Sequence, residues 1–132
     1  MKYIVLLATL ILSPGALACG CIDVPEEQNF AEAKAVFVVM VTSSELTKDE
    51  GHGLVKSKFK VVSVFKGNPK SIKVLKSYPS GNSCSKPVAV GEAYLLYAGS
   101  GPDVWISPCG SSRWFWMPNE EEWLKKHPEL KP

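Results

Sequence analysis

"AVFVVMV" (Ala35–Val41) is an unbroken apolar run in which four of seven residues are valine. A helix or strand with one face in water alternates polar and apolar residues. A short run without alternation, rich in β-branched residues, predicts a strand buried on both sides. Such a strand needs cover from two directions, which the flanking sequence must supply.

Working outward, "KSKFKVVSVFKG" (Lys56–Gly67) alternates in part, with Phe59, Val61 and Phe65 on one face. The connection "TKDEGHG" (Thr47–Gly53) reads as a polar hairpin loop. "SIKVLKSY" (Ser71–Tyr78) follows the Asn68-Pro69 turn, and the strands "GEAYLLYAG" (Gly91–Gly99) and "DVWISPC" (Asp103–Cys109) are separated by Ser100-Gly101-Pro102. Five strands at short spacing predict a small antiparallel sandwich or barrel. Two short helices flank them. "PEEQNFAEAK" (Pro25–Lys34) has proline and two acids in its first turn. "NEEEWLKKHP" (Asn119–Pro128) has Asn119 as N-cap, Glu122 three residues later and a terminating Pro128.

The first 18 residues do not belong to this fold. Met1-Lys2-Tyr3 is a short basic start, and the apolar run Ile4–Leu12 falls well short of the roughly 20 residues that a spanning helix needs. Ser13-Pro14-Gly15 then breaks any helix, and Ala16-Leu17-Ala18 is the small-x-small pattern of a cleavage site. Residues 1–18 are therefore expected to be a signal peptide and 19–132 a single domain. The mature chain would be extracytoplasmic, either secreted or periplasmic. Cys19 directly after the cut also loosely fits bacterial lipoprotein acylation, although leucine usually stands three places before such a cysteine. In that case an acyl anchor on Cys19 would hold the protein on a membrane.

Charge narrows the partners. The chain has 15 Lys and Arg against 13 Asp and Glu, and loss of Lys2 leaves it close to neutral. Nucleic-acid binding normally carries excess basic charge, so nucleic acid is not the expected partner. Nothing in the sequence calls for a cofactor or sets an oligomeric state.

The cysteines are Cys19, Cys21, Cys84 and Cys109. An even count in an exported chain reads as disulfides, and four cysteines allow three pairings. A Cys19–Cys21 bridge would close a strained ring and is discounted. Each remaining bridge closes roughly 60 to 90 residues, worth about 4 kcal/mol in the chain-entropy model. Zinc-binding and redox motifs both want Cys-x-x-Cys, which is missing here.

The Cys19-Gly20-Cys21 start, a short helix, a buried strand, "FKVVSVFKG", a mid-chain cysteine, "GEAYLLYAG" and a late cysteine occur in that order. This order resembles the netrin-like module, and most of all the N-terminal domain of the tissue inhibitors of metalloproteinases. The resemblance covers nearly all of residues 19–132. It implies a closed five-stranded OB-fold barrel with flanking short helices, and the disulfides Cys19–Cys84 and Cys21–Cys109. The family's third bridge in this domain and its C-terminal domain are missing. It further implies a secreted metalloprotease inhibitor whose wedge comprises Cys19, Gly20, Cys21 and Ile22, rimmed by Asn82 and Ser83. The partner would be a zinc metalloprotease, its catalytic zinc chelated by the amine and carbonyl of Cys19. The family's second residue fills the protease's specificity pocket, and Gly20 has no side chain to do so. The alternative is an envelope-anchored module, lipidated at Cys19, that binds protein or glycan without inhibiting.

Other residues have plainer readings. His52 in a glycine-flanked loop tip and His127 at a helix end are expected to be solvated. "RWFWMP" (Arg113–Pro118) is assigned to covering the barrel's open end rather than to stacking sugars or bases. Glu26, Glu27, Glu120, Glu121 and Glu122 are helix starts. Ser83 and Ser85 have no plausible base partner in the sequence, so a hydrolase reading has little support, and the inhibitor-like reading carries the expectation that the chain is not an enzyme.

Overall fold

The computed structural model describes residues 19–48, 53–79 and 85–116, together with Glu122 and Lys126. Its elements are helix α1 (Glu26–Glu32), β1 (Ala35–Thr47), β2 (Leu54–Lys66), a 3₁₀ turn (Pro69–Ser71), β3 (Val74–Ser77), β4 (Ala93–Ala98), β5 (Asp103–Ile106) and β6 (Arg113–Trp114). The second expected helix lies outside the described residues apart from Glu122 and Lys126, which form an exposed ion pair one turn apart.

The strands form one six-stranded sheet in the order β5-β3-β2-β1-β4-β6. The apolar run of β1 sits at its centre, paired antiparallel with β2 on one side and β4 on the other. Both of its faces are covered except at Met40, which is 41% exposed. Phe37, Val39 and Val41 pack with Leu75, Tyr94, Leu96, Val104 and Ile106. Val36 and Val38 pack on the opposite face with Leu95 and Phe115, with Phe30 and Ala33 of the helix region and Phe65 against them. Beyond Val41 the strand runs on as an exposed ribbon with β2, where Thr47 Oγ1 donates to the Leu54 carbonyl.

The expected closed five-stranded OB barrel is not what forms. The sheet is open and curled into a half-barrel whose edges stand 6 Å apart, wider than the about 4.7–4.9 Å between hydrogen-bonded strands. It is also mixed, because β3 and β5 pair in parallel. Two features account for this. Register shifts in the β1–β2 pair at Val36/Phe37, Val38/Val39 and Val41/Ser43 bend the sheet, as bulges do. The free edge of β4 is then taken by the short strand β6, with Tyr94 opposite Trp114 and Leu95 opposite Arg113. With that edge occupied, β5 packs near β4 without joining it.

Helix α1 is fastened to the sheet at its C-terminal end. The Lys66 ammonium donates to the carbonyls of Phe30 (2.7 Å) and Ala31 (2.9 Å) and lies 5.2 Å from the Phe30 ring centroid. Carbonyls at a helix C-terminus lack intrahelical partners and carry the negative end of the dipole, so a lysine there is doubly favourable. Gly67 follows directly, at φ 68°, where a side chain would overlap the Lys34 carbonyl oxygen.

Candidate functional site

The segment from Cys19 to Val24 precedes the first helix and belongs to no strand. Its position is set covalently. Cys21 is joined to Cys109 across 88 residues of sequence, tying the segment to the loop that follows β5. Cys19 is disulfide-bonded as well. Cys84, expected as its partner, lies outside the described residues, as do Asn82 and Ser83. A disulfide-bonded fold fits an oxidising, extracytoplasmic environment in general.

Cys21 and Gly20 are exposed and Cys19 is partly so, while Ile22 is 88% exposed. Left bare, this side chain forgoes burial worth about 1.5–3 kcal/mol. Gly20 lies outside the left-handed region, and a Cβ built there meets nothing within 4 Å. The Asn29 amide donates to the Val24 carbonyl at 3.3 Å and so links the end of the segment to α1. Cys21 Sγ approaches the Cys19 carbonyl at 3.8 Å. A bridged sulfur has no proton to donate, so this is a contact rather than a hydrogen bond.

Behind the segment lies a cleft of about 290 Å³. Cys21 to Val24, Glu26 and Asn29 form one wall; Lys86, Pro108 to Ser111 and Arg113 form the other. Arg113 Nη2 lies 2.6 Å from Glu26 Oε1, and the Tyr97 hydroxyl donates to the same oxygen at 2.7 Å. Burial, followed by the hydrogen bond and charge of Glu26, pushes the Tyr97 hydroxyl well above its ordinary value of 10.0, with Arg113 opposing. Burial disfavours the Arg113 charge, but Glu26 and Tyr97 outweigh it and leave the guanidinium held more firmly than usual. Tyr97 and Arg113 therefore both hold their protons through neutral pH.

No family model matches the chain, and no curated protein matches it. The assignment of function therefore rests on the residues themselves. Among the described residues, no three His, Cys, Asp or Glu side chains gather to hold a metal ion, and no helix is long and apolar enough to cross a membrane. His52 and His127 lie outside the described residues.

Two parts of this region were not foreseen from sequence. Arg113 and Lys86 in the cleft had no sequence signal, because their surroundings come from distant segments. The "RWFWMP" stretch divides its roles. Phe115 packs into the core at 5% exposure, whereas Trp114 and Trp116 are 45% and 52% exposed, so only part of it serves as cover.

Proposed function

We propose that the chain, cut after Ala18, inhibits zinc metalloproteases by presenting Cys19 to the catalytic zinc of its target. The observation that carries the reading is the exposed, covalently pinned segment Cys19–Val24. The α-amine and carbonyl oxygen of a first residue form a five-membered chelate ring. A catalytic zinc keeps one position for water, and this chelate displaces that water. The amine binds in its neutral form, and with an ordinary α-amino pKa of about 7.7–8.0 its deprotonation costs little at neutral pH. Bridging at both Cys19 and Cys21 removes most of the chain entropy that binding would otherwise consume. Gly20 contributes no group to a specificity pocket, so exposed apolar contact falls to Ile22. On this reading the protein is an exported inhibitor rather than an enzyme.

The test compares the mature chain with a variant carrying one additional alanine before Cys19, each titrated against a panel of zinc endopeptidases. The mature chain is expected to inhibit, and the extended one to lose inhibition while remaining folded. Equal inhibition by both would place the interaction elsewhere on the surface. Inhibition by neither, with a free Cys19 amine confirmed by intact mass, would overturn the reading.

A further inference from the structure

Three of the four tryptophans lie among the described residues, and one is already engaged with a cation. The Lys76 ammonium lies 5.7 Å from the Trp105 ring centroid while pairing with Asp103 at 2.5 Å. Indole face, cation and carboxylate thus form a complete set supplied entirely by the fold.

Trp114 and Trp116, with Glu92, provide the indole and carboxylate parts of a second set. Their rings meet edge to face at 84°, with centroids 5.3 Å apart, making a right-angled aromatic corner. Trp114 Nε1 donates to Glu92 Oε2 at 2.8 Å. This bond locks the ring and draws electron density into it, deepening the negative potential of its face. The corner opens into a cleft of about 410 Å³, with Met40, Ala93 and Phe115 on its apolar side. Among the described residues no lysine or arginine lines the cleft or stands over either ring.

The lining selects the ligand. Among the described residues Glu92 is its one charged side chain, and the rest is aromatic or apolar apart from main chain. A sugar presents several hydroxyls, each needing a partner when buried, and the described lining does not meet that need. A primary ammonium has three protons to satisfy. A fully methylated ammonium has none; it combines positive charge with an apolar surface, the combination that aromatic faces bind best. We propose that the Trp114–Trp116–Glu92 corner binds a quaternary ammonium group of the choline class. The site is separate from the Cys19 segment and does not depend on the inhibitory reading.

The experiment follows the indole N–H resonance of Trp114, assigned with Trp114→Phe, as the mature disulfide-bonded chain is titrated with choline. The comparison ligand is 3,3-dimethylbutanol, which has the same shape without the charge. Choline should give a saturable shift and bind about 3- to 30-fold more tightly than the neutral analogue, the range expected of a cation–π contact. Glu92→Gln should weaken choline severalfold and leave the analogue unchanged. Phosphatidylcholine vesicles, with phosphatidylglycerol as control, distinguish a lipid headgroup from a free solute, and selective binding of either quaternary ammonium source supports the assignment. Equal binding of choline and its neutral analogue, or saturable binding of methyl glycosides without choline, would overturn it. So would the lack of a saturable response to both choline and phosphatidylcholine. The ligand comparison is made on the unaltered chain, so it holds whether or not a variant folds.

Discussion

Arg113 and Glu26 stand 87 positions apart in sequence and meet at 2.6 Å. The first residue of α1 is thereby fixed to the edge strand β6, and Tyr97 of β4 donates to the same carboxylate oxygen. Three elements share one acceptor directly behind the Cys19–Val24 segment.

Removing that acceptor should therefore loosen the support of the segment. Both ends of the pair are partly screened, at 38% and 30% side-chain exposure, so the cost lies between that of surface and buried pairs. Glu26→Ala should destabilise by about 1–2 kcal/mol. Glu26→Gln should cost less, because its amide oxygen still accepts from Tyr97. Urea unfolding with an unchanged m-value checks both; equal losses would mean that the retained Tyr97 hydrogen bond contributes nothing and the charge of Glu26 carries the whole effect.

Tyr97 predicts a dependence on alkaline pH. Its folded-state pKa is raised, burial being the largest cause, so the folded protein holds a proton that the unfolded chain releases above 10.0. Stability from this group is complete below that pH and declines as pH rises beyond it. Tyr97→Phe has no such proton. The stability advantage of wild type over Tyr97→Phe should therefore shrink between pH 9 and 11, measured by paired urea melts, with ~10 as the ordinary tyrosine pKa. A constant difference would contradict the shift.

Gly67 should resist substitution. At φ 68° any L side chain is strained, and its Cβ would overlap the Lys34 carbonyl oxygen and crowd Ala35 Cα at 3.1 Å. All of these neighbours are backbone and cannot rotate away. Gly67→Ala should cost at least ~2 kcal/mol, seen as a lowered thermal midpoint. Gly99→Ala is the control, since nothing lies within 4 Å of its added carbon, and it should change stability far less.

Gly20 should behave in the opposite way. It lies outside the left-handed region and has open space around its Cβ position. Gly20→Thr should leave stability within about 0.5 kcal/mol of wild type. If the segment enters a protease cleft, the new side chain should tighten inhibition roughly 5- to 50-fold, by added contact and by restricting the free chain. Inhibition constants for Gly20→Ala and Gly20→Thr test this: weaker inhibition by a stable threonine variant would show that the pocket excludes the side chain.

How much could be read in advance varied with the range of the interaction. Ala35–Val41 identified its own strand and its double burial, because an unbroken β-branched run has few other uses. The turns at Asn68-Pro69 and Ser100–Pro102 divided the remaining strands in the right places. Strand β6 escaped notice because two residues, Arg113 and Trp114, carry no periodicity. The parallel pairing of β3 with β5 escaped for a related reason: strand patterns report which face is buried, not which neighbour lies alongside or in what direction.

The sequence by itself determined a mainly β domain built around Ala35–Val41, since local hydrophobic pattern and turn chemistry act over a few residues and are written there directly. Only the tertiary structure decided that the sheet stays open, that Arg113 reaches Glu26, and that Phe115 is buried while Trp114 and Trp116 face solvent. Each of these depends on which distant segment reaches an edge or a charge first. That competition is settled by the packing of the whole chain, not by any stretch of it.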